Sequence, residues 1–298
     1  MKAYLAIAEK ILSCGALQHN RTGIDVLTCS GMMFEHDMAE GFPLLTSKKI
    51  PFRLVASELE FFVRGITDKE WLREKNNHIW DEWCSPDSIP YGNDKATRER
   101  MMAERELGPV YGWQWRNFGA EYIAHNVPAG SAAHDGRTGI DQLKLLAETL
   151  KKDPYSRRML VCAWNPIDLP RMALPPCHFA FQVTVTTAAS GSSLNLLWSQ
   201  RSVDVALGLP FNIASYGCLL HLLAKEAGLR EGRLVGFLGD THIYTNHIDG
   251  IRQQLERELR PLPEIATENF SSVFDWHYTD TVIKNYDPHP AIQFDIAV

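Results

Sequence analysis

The chain has 298 residues, of which 45% are hydrophobic and 22% are charged, as in proteins with a sizeable core. This length fits one large α/β domain, although it also leaves room for two. A net charge of -6 and a pI near 6.0 argue against a dedicated binder of nucleic acid or anionic membranes. No apolar run approaches the roughly 18 residues of a membrane span, and we expect a cytoplasmic protein.

The first quarter of the chain predicts a helix, a strand and a second helix. Apolar side chains at helical spacing over residues 4–12 predict an amphipathic helix that stops at Gly15, a pattern unlike a signal peptide. Strand-like residues follow over 26–34. Pro51, a favoured first-turn residue, then predicts a helix over 52–63.

The helix predicted over 52–63 carries two acidic residues, Glu58 and Glu60, among apolar ones. Residues two apart point in different directions on a helix, so we expect at most one to face a pocket and the other to be solvated or paired. Buried carboxylates are rare unless they are paired or functional. Glu58, with core-like neighbours, is therefore the stronger functional candidate.

Three further short motifs lie in the first half of the chain. Arg21 lies in a polar turn that fits either a solvated loop or a mobile phosphate clamp, because a guanidinium fork matches phosphate oxygens. Thr67 to Glu70 fits a capping box that opens a short helix. The motif IWDEW, from Ile79 to Trp83, fits either a packing cluster or an aromatic wall against a flat ligand.

Two unusual stretches are predicted to be insertions on one fold. The stretch 84–107 is polar and contains a mixed-charge run typical of an exposed helix. The stretch 118–138 is rich in Gly, Ala, His and Pro and predicts a long surface loop. Apolar periodic segments resume after each, so neither resembles a domain linker. We expect residues 1–298 to form a single catalytic domain.

The second half of the chain alternates helices and strands. Arg157 and Arg158 stand side by side before a predicted strand; neighbours in an extended segment point to opposite faces, so both cannot serve one site equally within one subunit. They are either surface charge or aimed across a dimer interface.

The elements predicted for the second half of the chain are a helix over 140–150, strands over 179–186 and 194–202 joined by a turn of small residues, a core helix after Asn212 that ends at Gly228, and a strand from Leu234.

The most reactive-looking residue is Cys177, which lies in a Pro-Pro turn. The six cysteines are scattered without a CxxC pair, and we expect free thiols. Arg201, on a predicted neighbouring strand, could lower the pKa of the Cys177 thiol and bind an anion. Structural cysteines outnumber catalytic ones, so this spacing leaves both roles open. His242 and His247 lack a third ligand at a recognised spacing, and we expect no metal.

Ten motifs, in the same order and over essentially the whole chain, resemble the thymidylate synthase family. They are NRTG, GFPLLTSKK, IWDEW, GPVYGWQWR, DPYSRR, LPPCH, QRSVDV, LGLPFNIASY, GDTHIYTNH and YDPHP. The resemblance implies an α/β (α+β) sandwich of mixed sheets with surrounding helices, and a homodimer formed through a sheet face. It also implies methylation of dUMP to dTMP, with 5,10-methylenetetrahydrofolate as one-carbon donor and reductant.

The resemblance implies a role for each matching residue. Cys177 matches the nucleophile that adds to carbon 6 of the uracil ring, and Asn212 matches the amide that reads the uracil edge. Glu58 and Tyr111 match residues of proton transfer near the ring. The other candidates are His178, Arg201 and Asp204 for catalysis; Arg21, Arg201 and Ser202 for the phosphate, with Arg157 and Arg158 from the other subunit; Gln200 for the substrate; His242 and Tyr244 for the ribose; and Ile79, Trp80, Trp83, Leu207, Gly208, Phe211 and the tail Ile296, Ala297 and Val298 for the folate.

Some positions instead resemble the nucleotide hydroxymethylase branch of the same superfamily. Both branches form one exocyclic methylene intermediate, to which a synthase transfers hydride and a hydroxymethylase adds water. Polar side chains near the ring would admit water, so Glu60 and Ser199 favour a dUMP hydroxymethylase if they face the pocket. Trp80 and the apolar tail favour the synthase. The departures are Glu60, Phe61, Trp113, Ser199, Ala206 and Leu238.

Overall fold

A computed structural model describes residues 1–20, 22–123, 138–189 and 191–295. The helices in this part of the chain are α1 (Lys2–Cys14), α2 (Phe52–Val63), α3 (Glu70–Arg73), α4 (Lys95–Ala103), α5 (Tyr111–Asn117), α6 (Gln142–Lys152), α7 (Gly208–Ala227) and α8 (Ile248–Leu255). The strands are β1 (Ala16–Gln18), β2 (Val26–Asp37), β3 (Leu160–Cys162), β4 (His178–Ala188), β5 (Gly191–Asp204), β6 (Arg230–Tyr244), β7 (Glu264–Thr267) and β8 (Thr281–Lys284).

Six of these strands form one mixed sheet in the order β1-β2-β6-β5-β4-β3. Strands β5 and β6 pair in parallel, and the other neighbours pair antiparallel. Helices α1 and α7 pack on one face, where the ring of Trp198 stacks on Tyr216 of α7 with centroids 5.4 Å apart. The other face carries Met33 opposite Phe237, and these side chains are 57% and 47% exposed. The predicted α/β architecture of a mixed sheet with surrounding helices is therefore confirmed.

The first two helices match their sequence patterns. Helix α1 buries Tyr4, Ile7, Ala8 and Ile11, which recur at the spacing of one helical face, and it ends one residue before Gly15. Helix α2 has the predicted bounds and follows Pro51 directly. Both predictions are confirmed because a local apolar period was enough to specify them.

Helix α7 forms the centre of the core. Most of its side chains are buried, and Gly228 ends it in the left-handed conformation at φ 65°, which glycine adopts without steric cost. The helix begins at Gly208, earlier than predicted, so Asn212 lies inside it. None of the helices that the structure describes is long and apolar enough to cross a lipid bilayer.

Two local predictions were wrong. Thr67 does not cap α3, because its hydroxyl hydrogen bonds to the hydroxyl of Tyr122 at 2.8 Å; the Asp68 carboxylate instead accepts from the N–H of Glu70 at 2.9 Å. Arg157 and Arg158 are exposed in a turn between α6 and β3 rather than in an extended segment. The strand-alternation argument therefore does not apply to this arginine pair.

The stretch 84–107 contains α4, whose first turn is capped by the Asp94 carboxylate. The buried side chain of Met101 joins α4 to Cys84 and Ile89 in a small apolar cluster. Most of the second stretch, residues 124–137, lies outside the described residues. That residues 1–298 form a single domain with two insertions stays a prediction.

Candidate active site

Cys177 lies in the turn that leads into β4, and Arg201 of the neighbouring β5 holds this turn in place. The guanidinium of Arg201 donates to the carbonyl oxygens of Pro175 at 2.8 Å and Pro176 at 3.0 Å. The backbone N–H of Arg201 donates to the carbonyl of Cys177 at 2.8 Å. The same guanidinium lies over the ring of Trp164, 5.3 Å from its centroid. The Arg201 guanidinium is thus held by the backbone of the turn that carries the half-buried Cys177 thiol. Its position on the strand next to this turn is the one predicted from the sequence.

The thiol lines a cavity of about 560 Å³ to which distant parts of the chain contribute. Arg201 and Ser202 come from β5, and His242 and Tyr244 come from the end of β6. Arg21 lies outside the described residues, but its neighbours Asn20 and Thr22 line the same cavity. Residues that line the cavity include Asn20, Thr22, Trp83, Tyr91, Cys177, Arg201, Ser202, Asp240, His242 and Tyr244.

Glu58 is held by the indole of Trp80, whose Nε1–H donates to its Oε1 at 2.8 Å. Burial raises the pKa of the Glu58 carboxyl from 4.5 to about 7, and the hydrogen bond from Trp80 acts in the opposite direction. Trp80 is itself 6% exposed and packs edge-on against Tyr111 and Trp83. The IWDEW motif therefore forms a packing cluster through Trp80, while Trp83 faces the cavity.

Tyr111 and His178 form a stacked aromatic floor beneath the cysteine turn. The Tyr111 hydroxyl accepts from the backbone N–H of Cys177 at 2.8 Å, and its ring stacks on His178 with centroids 4.4 Å apart. Nδ1 of His178 lies 2.9 Å from the hydroxyl of Tyr216. Burial lowers the pKa of the His178 imidazole to about 3, so this ring is neutral near pH 7. We therefore regard His178 as a support for Tyr111 rather than a proton donor.

Asn212 is not the lone amide that the sequence suggested. The side-chain N–H of Gln200 donates to Asn212 Oδ1 at 3.0 Å and to the Ser202 carbonyl at 3.1 Å. Gln200 is in turn held by the indole N–H of Trp198, 3.2 Å from its Oε1. Asn212 is half-buried, and this chain of hydrogen bonds fixes its amide; it is not among the residues that line the Cys177 cavity.

Asp204 shapes the entry to α7. Its Oδ1 accepts from the backbone N–H groups of Ala206 at 2.8 Å and Leu207 at 3.1 Å.

Sequence reasoning missed Lys48, whose buried ammonium donates to the Ala206 carbonyl and lies 4.5 Å from the centroid of the Phe294 ring. Burial lowers the pKa of Lys48 to about 8, partly offset by the Asp204 charge. The only signal for Lys48 was a lysine following an apolar run in GFPLLTSKK.

His242 and Tyr244 come together at the end of β6, with ring centroids 5.3 Å apart. His242 is buried, and its Nδ1 lies 3.4 Å from Asp240 Oδ1, which also accepts from the Thr28 hydroxyl. No group of three or more His, Cys, Asp or Glu side chains within the described ranges could hold a metal ion. All six cysteines are free thiols.

The predicted folate-facing residues are only partly covered. Ile79 and Trp83 from the IWDEW segment are half-buried, as are Leu207, Gly208 and Phe211 at the start of α7. These side chains offer apolar and aromatic surface of the kind that a flat heterocycle requires. Val298 and the rest of the tail, residues 296–298, lie outside the described residues.

The positions that depart from the synthase pattern have contacts elsewhere. Glu60 is 1% exposed, and its carboxylate accepts from Arg64 at 2.6 Å and from the Tyr278 N–H at 2.8 Å. Trp113 packs edge-on against Tyr122 with centroids 4.8 Å apart. Ser199 pairs with Phe237 on the open sheet face, and Leu238 is buried. The lining of the Cys177 cavity includes none of these departures.

A cysteine, an arginine anchored on the cysteine turn and polar side chains from two neighbouring strands meet in one cavity of the mixed sheet, as in the active site of an enzyme. The family model for thymidylate synthase matches residues 2–298. A thymidylate synthase from Herpesvirus ateles is 41% identical over 298 residues, which cover 99% of this chain and 97% of the relative. The chain belongs to the thymidylate synthase family.

Proposed function

We propose that this chain methylates dUMP to dTMP, with 5,10-methylenetetrahydrofolate as one-carbon donor and reductant. The observation that carries the proposal is the cavity in which Cys177 lies with Arg201, Ser202, His242 and Tyr244. It combines a nucleophile, a cation for a phosphate and polar groups for a sugar. The name of the viral relative agrees with this activity.

Cys177 acts as the nucleophile. Its thiolate forms a bond to carbon 6 of the uracil ring, and the electrons of the ring double bond move to carbon 5 and the adjacent carbonyl. The Arg201 guanidinium, anchored on Pro175 and Pro176, favours the thiolate electrostatically. Expulsion of the thiolate at the end of the reaction restores the ring double bond.

Glu58 and Tyr111 serve the proton transfers. A carboxyl with a pKa of about 7 exchanges its proton readily near neutral pH, which is the property required of a general acid or base. Trp80 keeps this carboxyl in place through its indole N–H. The Tyr111 hydroxyl, fixed beside Cys177, assists removal of the carbon 5 proton through water.

Asn212 selects uracil over cytosine. The uracil edge presents one donor and one acceptor, which a single amide can answer together, whereas a carboxylate would prefer the amino group of cytosine. Gln200 orients the amide by donating to Asn212 Oδ1. An unmet buried hydrogen bond costs about 1 to 3 kcal/mol, which is enough to discriminate between the bases.

The phosphate and ribose ligands complete the nucleotide site. We assign the phosphate to Arg21, Arg201 and Ser202 with Gln200 beside them, and the ribose hydroxyl to His242 and Tyr244. Arg157 and Arg158 are exposed and do not line the cavity of their own chain, which supports their donation to a second subunit. The exposed apolar pair Met33 and Phe237 supports a homodimer formed through the open sheet face. A cytoplasmic location is part of the proposal.

The folate, when bound, supplies the carbon and the hydride. We assign the folate to Ile79, Trp80, Trp83, Leu207, Gly208, Phe211 and Asp204, and on the family resemblance also to Val298 of the tail. Closure by an apolar tail would exclude water from the last intermediate. The half-buried aromatic surface at Trp83 and Phe211 fits the folate ring.

We favour the synthase over the hydroxymethylase because of where the polar departures lie. Glu60 is neutralised by Arg64, and Ser199 lies on the open sheet face. Neither side chain therefore provides a hydrogen-bonding group for water inside the Cys177 cavity. The deciding assay incubates the chain with dUMP and methylenetetrahydrofolate and identifies both products.

Thymidylate with dihydrofolate supports the proposal, whereas 5-hydroxymethyl-dUMP with tetrahydrofolate refutes it in favour of the hydroxymethylase. Cys177→Ala is the companion variant, and it should abolish turnover while dUMP still binds. Retained turnover in this variant would show that another group is the nucleophile.

A further inference from the structure

Lys69 is a buried cation that hydrogen bonds only to backbone carbonyls among its described partners. The residue is 1% exposed, and its ammonium donates to the carbonyl oxygens of Asp81 at 2.9 Å, Trp83 at 2.8 Å and Met101 at 2.9 Å. These three bonds use the full donor capacity of an ammonium group. Burial of a charge is costly, so its presence here requires a gain that an apolar side chain would not supply.

The Lys69 ammonium connects two segments of the chain that do not belong to the same helix or strand. Asp81 and Trp83 belong to the IWDEW segment, while Met101 lies in the last turn of α4, in the stretch 84–107. Carbonyl groups in the last turn of a helix lack partners within the helix and bind cations favourably. Lys69 therefore joins the end of α4 to the backbone of the aromatic segment.

Arg73, one helical turn later in α3, makes the same link a second time. Its Nε donates to Asp81 Oδ1 at 2.7 Å, and its Nη2 donates to the Met102 carbonyl. His78 contributes a third contact, with its Nδ1 2.9 Å from the other oxygen of Asp81. Side-chain and backbone oxygens of one aspartate are thus both tied to α3.

This link ends at the cavity of Cys177. Trp83 lines that cavity, and Trp80, three residues earlier, orients Glu58. Tyr91, which also lines the cavity, lies four residues before α4 in the same stretch 84–107. A shift of the segment Asp81–Trp83 would therefore move the aromatic wall while leaving Cys177 and Arg201 in place.

We propose that Lys69 is a positioning residue that fixes the aromatic wall Trp80–Trp83 for the folate by tying its backbone to α4. The inference rests on the proposed function, because the wall is assigned to the folate there. It predicts that loss of Lys69 weakens use of the folate much more than use of dUMP.

The test compares Lys69→Met with Lys75→Met. Lys75 is the matched control, since its ammonium also donates to a backbone carbonyl, that of Trp71 at 3.1 Å, and lies 3.5 Å from the centroid of the Trp71 ring. In Lys69→Met the KM for methylenetetrahydrofolate should rise at least about tenfold, which corresponds to about 1.4 kcal/mol. The KM for dUMP should change less than about threefold, and Lys75→Met should leave both values near those of the wild type.

Hydrogen exchange provides a readout that does not depend on the reaction. Peptides covering 79–84 and 98–103 should exchange faster in Lys69→Met, while peptides from α7 keep their wild-type rates. If Lys69→Met does not fold, Arg73→Leu should produce a smaller change of the same kind, because the Arg73 side chain is 19% exposed.

Three results separate the possible failures. Faster exchange in the wall of Lys69→Met, together with a wild-type protein that makes no thymidylate, would refute the proposed function while supporting the positioning role. An unchanged folate KM in an active enzyme would overturn the role of Lys69. A uniform rise in exchange throughout the chain would also overturn it, because it would indicate a general contribution to stability.

Discussion

Replacing Glu58 by glutamine removes a half-buried ionisable group while keeping an acceptor for the indole of Trp80. In the wild type, burial raises the pKa of this carboxyl from 4.5 to about 7. The native state therefore binds more protons than the unfolded state between these two values. By linkage, the free energy of unfolding contributed by Glu58 decreases as the pH rises through this window.

The size of the effect follows from the shift. One pKa unit corresponds to about 1.4 kcal/mol, so the full shift corresponds to roughly 3 kcal/mol. Between about pH 5 and about pH 8, the change amounts to about 2.5 kcal/mol. A neutral glutamine does not titrate, and Glu58→Gln should therefore gain about this much stability relative to the wild type over the same interval.

Urea denaturation of both proteins at the two pH values measures this difference, because the pH dependence of all other groups cancels. Glu148→Gln is the control, since the Glu148 side chain is 61% exposed on α6. It should show no relative gain. The same Glu58→Gln variant should lose about 100-fold or more in kcat, and the ionisation near 7 should disappear from its pH profile of kcat/KM.

A stability difference between Glu58→Gln and the wild type that does not change with pH would refute this reasoning. It would mean that the Glu58 carboxyl titrates alike in the native and unfolded states. An ionisation lost from the pH profile of kcat but not of kcat/KM, without a change in stability, would instead assign the shifted proton to the complex with substrate.

Two further predictions concern the nucleotide site. Asn212→Asp should raise the turnover of dCMP relative to dUMP by about tenfold or more, since a reversed hydrogen-bond preference is worth about 1 to 3 kcal/mol. Competition between the two nucleotides measures this ratio. An unchanged ratio would show that the base edge is read by another residue. Tyr111→Phe removes the acceptor of the Cys177 N–H and should lower kcat at least about tenfold with little change in the KM for dUMP. Steady-state kinetics tests this, and a wild-type kcat would exclude a role for the hydroxyl.

Much of the fold follows from local patterns. The apolar period of α1 and α2 specified their position and length, and the small-residue turn between β4 and β5 specified a hairpin. That hairpin already brings Arg201 beside Cys177, because antiparallel neighbours in a hairpin lie opposite each other. The core of the candidate site was therefore accessible from the sequence.

Other features depend on partners that are distant in the chain. Thr67 was a plausible cap until Tyr122, 55 residues away, was available as its partner. Glu58 and Glu60 look alike in sequence, but Glu60 meets the N–H of Tyr278 and the guanidinium of Arg64, whereas Glu58 meets Trp80. The Glu60–Arg64 pair has the local i,i+4 spacing, but no local pattern could assign the contact of Glu60 with Tyr278 or that of Glu58 with Trp80.

The sequence by itself determined the helical and strand periods, the reactive turn at Cys177 and the ordered motifs that identify the family. Only the tertiary structure decided which polar groups are paired: Asn212 with Gln200, Glu60 with the N–H of Tyr278, and Lys69 with Asp81, Trp83 and Met101. The physical reason is that apolar periodicity is a property of neighbouring residues, while a buried polar group is satisfied by whichever donor or acceptor the folded chain brings within about 3 Å.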